Sequence, residues 1–399
     1  MFKLDMPTKF IKIFSFAFLR QGNCLQILSI FNLKKLILMF DRRDALKSII
    51  IGSATTLFSP NTLLAGTSKK KEKLGIALVG LGYYSTDLLA PALQTTEKCY
   101  LAGIVTGSPE KAEKWKQKYN IPDKNIYNYQ NFDSIANNPD IDIVYVVLPP
   151  SMHKEYTIRA AKAGKHVFCE KPMAPSVNDC MAMIKVCKDN KVNLAIGYRC
   201  QHDPNTQEYM RITKEKLYGK VKMVACGAGY FDARTTHWKQ NKALGGGVMG
   251  DMGVYALQGA RLATGEEPIA VTAQASTTRP EIYKEVEETM MFQLQFPSGA
   301  LAACHTSFGI NMNYLQVNYE KGWLKMEPFS AYSGNKGSYS NGIIDFPLKS
   351  QQAKQLDEDC MALINSTQLI APGEEGLRDI KVVEAIYKAA QNGGTVKIG

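Results

Sequence analysis

"LGIALVGLGYYS", residues 74–85, decides the fold. Leu74 to Val79 form a short apolar run of strand length, and Gly80 and Gly82 follow at once. "TDLLAPALQTT" (86–96) then has helical spacing. A strand, a G-x-G turn and a helix in that order mark a dinucleotide-binding βα unit. Gly80 permits the tight turn, and Gly82 lets backbone approach a pyrophosphate at the helix N-terminus. Ser85 stands where the third glycine of the pattern would be.

Downstream, strand and helix patterns alternate. "YLAGIVTG" (100–107), "IDIVYVVLPP" (141–150), "HVFCEKP" (166–172) and "VNLAIGY" (192–198) read as strands. "PEKAEKWKQKYN" (109–120), "SMHKEYTIRAAKAG" (151–164, with Ser151 as cap) and "SVNDCMAMIKVCKDN" (176–190, capped by Ser176) read as helices. "NFDSIANNP" (131–139) reads as a short helix. Such alternation predicts a parallel, doubly wound sheet over residues 74–197. Beyond it the pattern changes to strands joined by short turns, from "VKMVACGAGYF" (221–231) to "GWLKMEP" (322–328), with Pro297-Ser298-Gly299 and Glu320-Lys321-Gly322 as hairpin turns. Helices follow at 351–366 and 374–394. The expected fold class is α/β: an N-terminal Rossmann domain (74–197) and a C-terminal α/β domain (198–399) with a large, mainly antiparallel open sheet.

The leader is distinct. Of 48 Lys/Arg and 37 Asp/Glu, residues 1–70 hold 11 and 3, so the basicity concentrates there and nucleic acid is not an expected partner. "DRRDALKSIIIGSATTLF" places Arg42 and Arg43 before a short apolar stretch, which resembles a twin-arginine export signal. The expectation is an extension or extra n-region at 1–38, a signal at 39–66 and a linker at 67–73. The product would be exported to the periplasm, without a stable membrane span, since no run of about 20 apolar residues occurs. Nine Cys occur without a C-x-x-C pair, and no metal site is expected.

The second strand ends in Thr106, Gly107 and Ser108, without the carboxylate that binds a ribose 2′-OH. Ser108 and Lys111 are instead placed to bind a 2′-phosphate, which favours NADP over NAD. Glu170-Lys171-Pro172 leaves a strand at its carboxyl end, where doubly wound sheets bind ligands. By itself it reads equally as a surface turn or as a Lys beside a nicotinamide. Asp251 and Tyr255 in "GDMGVYALQGARLATG" are four residues apart, so they share a helix face. A cationic Lys near that Tyr would lower its pKa and suit it to proton transfer.

"GLGYYS", "VVLPPSMHKEYTIRAAKAGKHVFCEKPMAPSVNDC", "GYRCQHDP" and "GDMGVYALQGARLATGEEPI" together resemble the glucose–fructose oxidoreductase and inositol dehydrogenase (Gfo/Idh/MocA) family over about 73–395. "GYRCQHDP" and Tyr255 are similar to the glucose–fructose oxidoreductase branch. The resemblance implies Lys171, Asp251 and Tyr255 as the catalytic group, which with His202 would bind substrate. It implies Gly80, Leu81, Gly82, Tyr83, Tyr84, Leu148, Pro149, His153, Glu170, Lys171, Arg199 and Trp238, beside Ser108 and Lys111, as cofactor contacts. It also implies a homo-oligomer, dimer or tetramer, paired through the open sheet. The implied function is NADP-dependent hydride transfer from the anomeric carbon of a glucose-like aldose, with coupled ketose reduction as one form of it. An aldose 1-dehydrogenase or dihydrodiol-type dehydrogenase with exchangeable NADP, an NAD-dependent glycosidase and a non-catalytic dinucleotide-binding protein stand as alternatives. Between a cut expected near Ala65 and the first strand stands only "GTSKKKEK" (66–73), a short arm for permanent cofactor retention.

Overall fold

The computed structural model describes residues 71–399; the expected extension, signal and most of the linker lie outside the described residues. The first sheet has six parallel strands: β1 (Leu74–Val79), β2 (Cys99–Val105), β3 (Ile126–Tyr127), β4 (Ile143–Val146), β5 (His166–Cys169) and β6 (Leu194–Ile196). Their spatial order is β3-β2-β1-β4-β5-β6, the doubly wound dinucleotide-binding arrangement. β1 and β4 are buried at every position, because helices cover both faces and a parallel sheet has no solvated side. The order reverses between β1 and β4, so the loops after β1, β4 and β5 converge at one carboxyl edge.

Two local expectations shift. The segment after Gly82 begins as a π-helical turn, Tyr84–Leu89, and becomes α-helical only over Ala90–Leu93. Pro91 has no N–H to donate, so a regular α ladder is not available there. The helix expected from Ser151 starts one residue earlier, as Pro150–Lys162, with proline in its first turn and no side-chain cap. Ser176, by contrast, accepts from the Asp179 N–H and caps Val177–Asp189.

The second sheet has nine strands in the order β14-β13-β12-β11-β7-β10-β9-β8-β15. Its long members are β7 (Val221–Gly229), β8 (Ala270–Ser276), β9 (Thr289–Gln295), β10 (Leu301–Ser307) and β11 (Met312–Tyr319); β12 is Trp323–Met326. All neighbours are antiparallel except β7 and β10, which run parallel. β13 (Gly337–Tyr339), β14 (Gly342–Ile344) and β15 (Val396–Lys397) are too short to leave a periodic signal, and the helix Pro204–Lys214 was also not anticipated. Burial alternates along β9, with Met290, Phe292 and Leu294 inside. The helices Val254–Thr264 and Gly373–Asn392 cover the inner face. Met223, Met291, Leu301 and Trp323 stand exposed on the outer face.

The two C-terminal helices pack back onto the first sheet. Leu356 and Cys360 of Gln351–Asn365 join the core under β1 and β2, and Asp357 accepts from the Glu97 and Lys98 N–H groups at 2.9 and 2.7 Å. Gly373–Asn392 carries Ile380 into the core beside β6. Its Asp379 and Glu375 bind Arg261, which lies on the helix that begins with Val254 and Tyr255. This buried cluster holds the Tyr255 helix to the first domain. Among the described residues no helix is long and apolar enough to cross a membrane.

Candidate active site

The turn after β1 is built for close approach. Gly80 has φ +92°, and a Cβ there would lie 2.5 Å from the Val147 carbonyl oxygen, so only glycine fits. Ser85, at the third-glycine position, is buried and donates to the Gly80 carbonyl at 2.6 Å, closing the turn that a glycine would leave open. At Gly82 no atom lies within 4 Å of a built Cβ. That open space beside backbone amides fits a pyrophosphate. Leu81 is buried, Tyr83 is 64% exposed at the mouth, and the Tyr84 ring lies 6.1 Å from Tyr332. Lys111 reaches across from the next helix and donates to the Leu81 carbonyl at 3.3 Å, while Ser108 caps that helix. Lys111 therefore flanks the turn, with Ser108 at the N-terminus of the same helix. Leu148 packs against Gly80, and Pro149 leads into the helix Pro150–Lys162.

His153 has a different place from the one expected. It is fully buried, with Nε2 2.7 Å from the Leu148 carbonyl oxygen and Nδ1 3.0 Å and 3.2 Å from those of Pro172 and Met173. Neither ring nitrogen is left for a cofactor; the ring ties the loop after β4 to the loop after β5. Burial pulls its pKa down, against the three carbonyl oxygens, which favour a protonated ring.

Glu170 lies beneath the next loop. It is buried, accepts from the Tyr145 hydroxyl at 2.6 Å and from the Lys171 N–H at 3.2 Å, and burial pushes its pKa up. The following Lys171–Pro172 peptide bond is cis. Lys171 projects into the cleft, where Nζ donates to the Asp251 main-chain carbonyl at 2.7 Å, stands 3.5 Å from Asp251 Oδ1, and lies 4.6 Å over the Tyr255 ring. The structure thus brings Lys171, Asp251 and Tyr255 together at the carboxyl end of β5. Asp251 lies in a π-helical turn, Met249–Gly253, that becomes α-helical at Val254, so the two residues meet across a widened turn and not along a regular helix face.

The electrostatics divide the three residues. Burial alone would raise the Asp251 pKa, but the Lys239 and Lys171 ammoniums outweigh it and hold it down at about 2. Tyr255 behaves opposite to the sequence expectation. Burial pushes its phenol above the ordinary value, and the main opposing charge is Arg199, not Lys171. Arg199 is 2% exposed and has no carboxylate partner among the described residues; it donates to the Ala331 and Ser330 carbonyls at 2.9 and 2.6 Å and to Gln351. Its guanidinium lies 5.0 Å from the Tyr255 ring centre and 4.4 Å from that of Tyr332. It supports the tyrosine from beneath, a role that sequence spacing does not show.

His202 is wholly buried, 2.7 Å from Glu358 and 3.8 Å from Asp359, so it offers no surface to a substrate. The substrate contact expected of it is replaced by a hydrogen bond to Glu358 on the helix Gln351–Asn365. Trp238 begins the turn Trp238–Gln240, whose Lys239 lies 5.8 Å over its ring. Lys239 itself, 2.5 Å from Asp251 Oδ2, was missed in the sequence, as were Tyr230 and Tyr332. A lysine within "HWKQNK" carries no motif.

A parallel dinucleotide sheet, a glycine turn open to a pyrophosphate, and a Lys–Asp–Tyr cluster at the carboxyl edge define a nicotinamide-dependent oxidoreductase of CH–OH groups. Residues 74–198 match the model of the "Oxidoreductase family, NAD-binding Rossmann fold", and 206–325 match the "GFO/IDH/MocA C-terminal domain". The chain belongs to the Gfo/Idh/MocA oxidoreductase family. It is similar to an aldose-aldose oxidoreductase of Caulobacter crescentus, solved with glycerol: 42% identity and a TM-score of 0.79, covering 82% of this chain and 99% of that one. It is also 26% identical over 333 residues to a D-xylose 1-dehydrogenase [NADP(+)] of Haloarcula marismortui, covering 81% of this chain and 92% of the relative. An inositol 2-dehydrogenase of Rhizobium meliloti is 24% identical over 312 residues, 75% of this chain and 92% of its own.

Proposed function

We propose that the protein is an NADP-dependent aldose oxidoreductase that oxidises the anomeric carbon of a sugar. The observation that carries this is the convergence of Lys171, Asp251 and Tyr255 beside the glycine turn. The relatives named for xylose and aldose oxidation support the substrate class. Lys111 over the turn, and no carboxylate at the end of β2, support NADP over NAD.

Gly80 to Tyr84 would hold the pyrophosphate, with Ser108 and Lys111 at the 2′-phosphate. NADP supplies the acceptor for the hydride that leaves the sugar carbon. Tyr255 takes the proton of the sugar hydroxyl in oxidation and returns it in reduction. Lys171, over the Tyr255 ring and bound to Asp251, places an ammonium beside both the phenol and the substrate oxygen. Asp251, fully ionised, orients that ammonium. Arg199 offsets part of the cost of a phenolate in a buried site. A phenol is protonated at neutral pH and burial reinforces this at Tyr255, so the resting site is set as a proton donor for the reductive direction.

The test uses protein purified without added cofactor. NADP reduction is followed by nicotinamide absorbance with a panel of aldoses, then a ketose or second aldose is added. NADP-linked oxidation of an aldose is expected. No oxidation of any aldose with NADP or NAD refutes the reading.

The reading extends to export through Arg42 and Arg43, tested by signal-dependent periplasmic recovery, with failure in an Arg42→Lys/Arg43→Lys chain as the expected result. It extends also to pairing through the outer face of the large sheet, where Met223, Met291 and Leu301 are exposed. A monomer by light scattering refutes that part.

A further inference from the structure

Asp251 is held by two ammoniums, and only Lys171 belongs to the recognisable motif. Lys239 Nζ is 2.5 Å from Oδ2, a direct charge-assisted hydrogen bond, a class of contact that extends to about 2.9 Å. Lys171 Nζ is 3.5 Å from Oδ1, beyond that range, and spends its short bond on the Asp251 main-chain carbonyl at 2.7 Å. Lys239 also donates to the Tyr230 hydroxyl at 3.0 Å, which itself stands 3.4 Å from Oδ2. Arg234 fixes Tyr230 from the other side at 3.0 Å and pairs with buried Asp232 at 2.7 Å. The His237 ring accepts from the Lys239 N–H, so the turn that carries Lys239 is itself capped. These contacts make a built support around Asp251 Oδ2.

We infer that Lys239 is a positioning residue of the hydride-transfer site: by taking Asp251 Oδ2 it leaves Lys171 on the main-chain carbonyl, with an N–H free for the substrate oxygen. This rests on the function proposed above. An ammonium has three donors. With Lys239 removed, Oδ2 loses its nearest cation, and the carboxylate turns to Lys171 and draws it from the cleft. The groups facing Asp251 are Lys171 from the loop after β5, Lys239 from the 238–240 turn, and Tyr230 at the end of β7. Arg234, Asp232 and His237 stand behind them, and Tyr332 approaches from the loop before β13. Losing one of two cations raises the Asp251 pKa, so the acid limb of activity moves to higher pH.

The experiment compares Lys239→Met and Lys239→Arg with the parent protein. Aldose oxidation is measured against pH, NADP affinity is measured by fluorescence, and the Asp251 carboxyl is titrated by carbon NMR without substrate. Lys239→Met is expected to lose about 10- to 100-fold in kcat with NADP affinity kept. The acid limb and the Asp251 titration should both rise by about one pH unit or more. Arg should restore both. An unmoved Asp251 titration in Lys239→Met overturns the inference. So does an activity loss that follows melting temperature and is not restored by Arg. If the parent oxidises no aldose, the functional reading has failed, while the Asp251 titration still decides whether Lys239 holds that carboxylate.

Discussion

Tyr255→Phe isolates the proton-transfer step. The ring lies 4.6 Å from Lys171 Nζ and 5.0 Å from the Arg199 guanidinium carbon, and it is 9% exposed. Phe keeps that packing and both cation–ring contacts, so stability should change by no more than about 1 kcal/mol. What it loses is the hydroxyl. At an ordinary phenol pKa about 1 molecule in 1,000 is phenolate at pH 7, and burial makes the fraction smaller here. Oxidation draws on that fraction, so log kcat/KM for aldose oxidation should climb with a slope of about one between about pH 6 and pH 9. Reduction uses the protonated phenol and should be flat over the same interval. Removing a positioned acid–base group costs about 10²- to 10⁴-fold, or about 3–5 kcal/mol of transition-state stabilisation. The assay is initial-rate NADPH formation across pH, with NADP affinity measured separately by fluorescence and expected to stay the same. A loss under about tenfold, or a unit slope persisting in the Phe variant, refutes Tyr255 as the proton acceptor.

Gly82→Leu should fold normally and lose NADP binding by at least about tenfold in a fluorescence titration, because its side chain enters the open space over the turn. Gly80→Ala should lower the melting temperature instead, since φ is +92° and the Val147 carbonyl stands in the way. Lys111→Ala should raise the KM for NADP about tenfold and leave that for NAD nearly unchanged, as steady-state kinetics with both cofactors would show. Arg261→Met should cost about 3–5 kcal/mol in denaturant unfolding at pH 8, because it strands buried Asp379, while Glu375 keeps Arg378. Burial already lifts Asp379 to about 6 despite Arg261. Its stabilising protonation is complete below its ordinary range and lost as pH rises through about 6, and removing Arg261 moves that window upward. The loss should therefore be smaller at pH 5.5 than at pH 8; equal losses at both refute the assignment.

The first domain was legible because its signals are local. An apolar run closed by Gly80 and Gly82, repeated strand–helix alternation, and caps such as Ser176 depend on neighbours a few residues away. Lys171 could be marked at a strand's carboxyl end for the same reason. The second domain was legible as strands, but not in their order: nothing local shows that β7 pairs with β10 in parallel.

The sequence by itself determined the dinucleotide-binding turn, the α/β class and the candidacy of Lys171, Asp251 and Tyr255. Only the tertiary structure decided what surrounds them. It buried His202 against Glu358, made His153 a tie between loops, and set Arg199 beneath Tyr255 and Lys239 against Asp251. It also raised the Tyr255 pKa where an adjacent lysine had suggested the reverse. The physical reason is that a titrating group responds to burial and to every charge within a few ångströms, and those neighbours come from segments far apart in the chain.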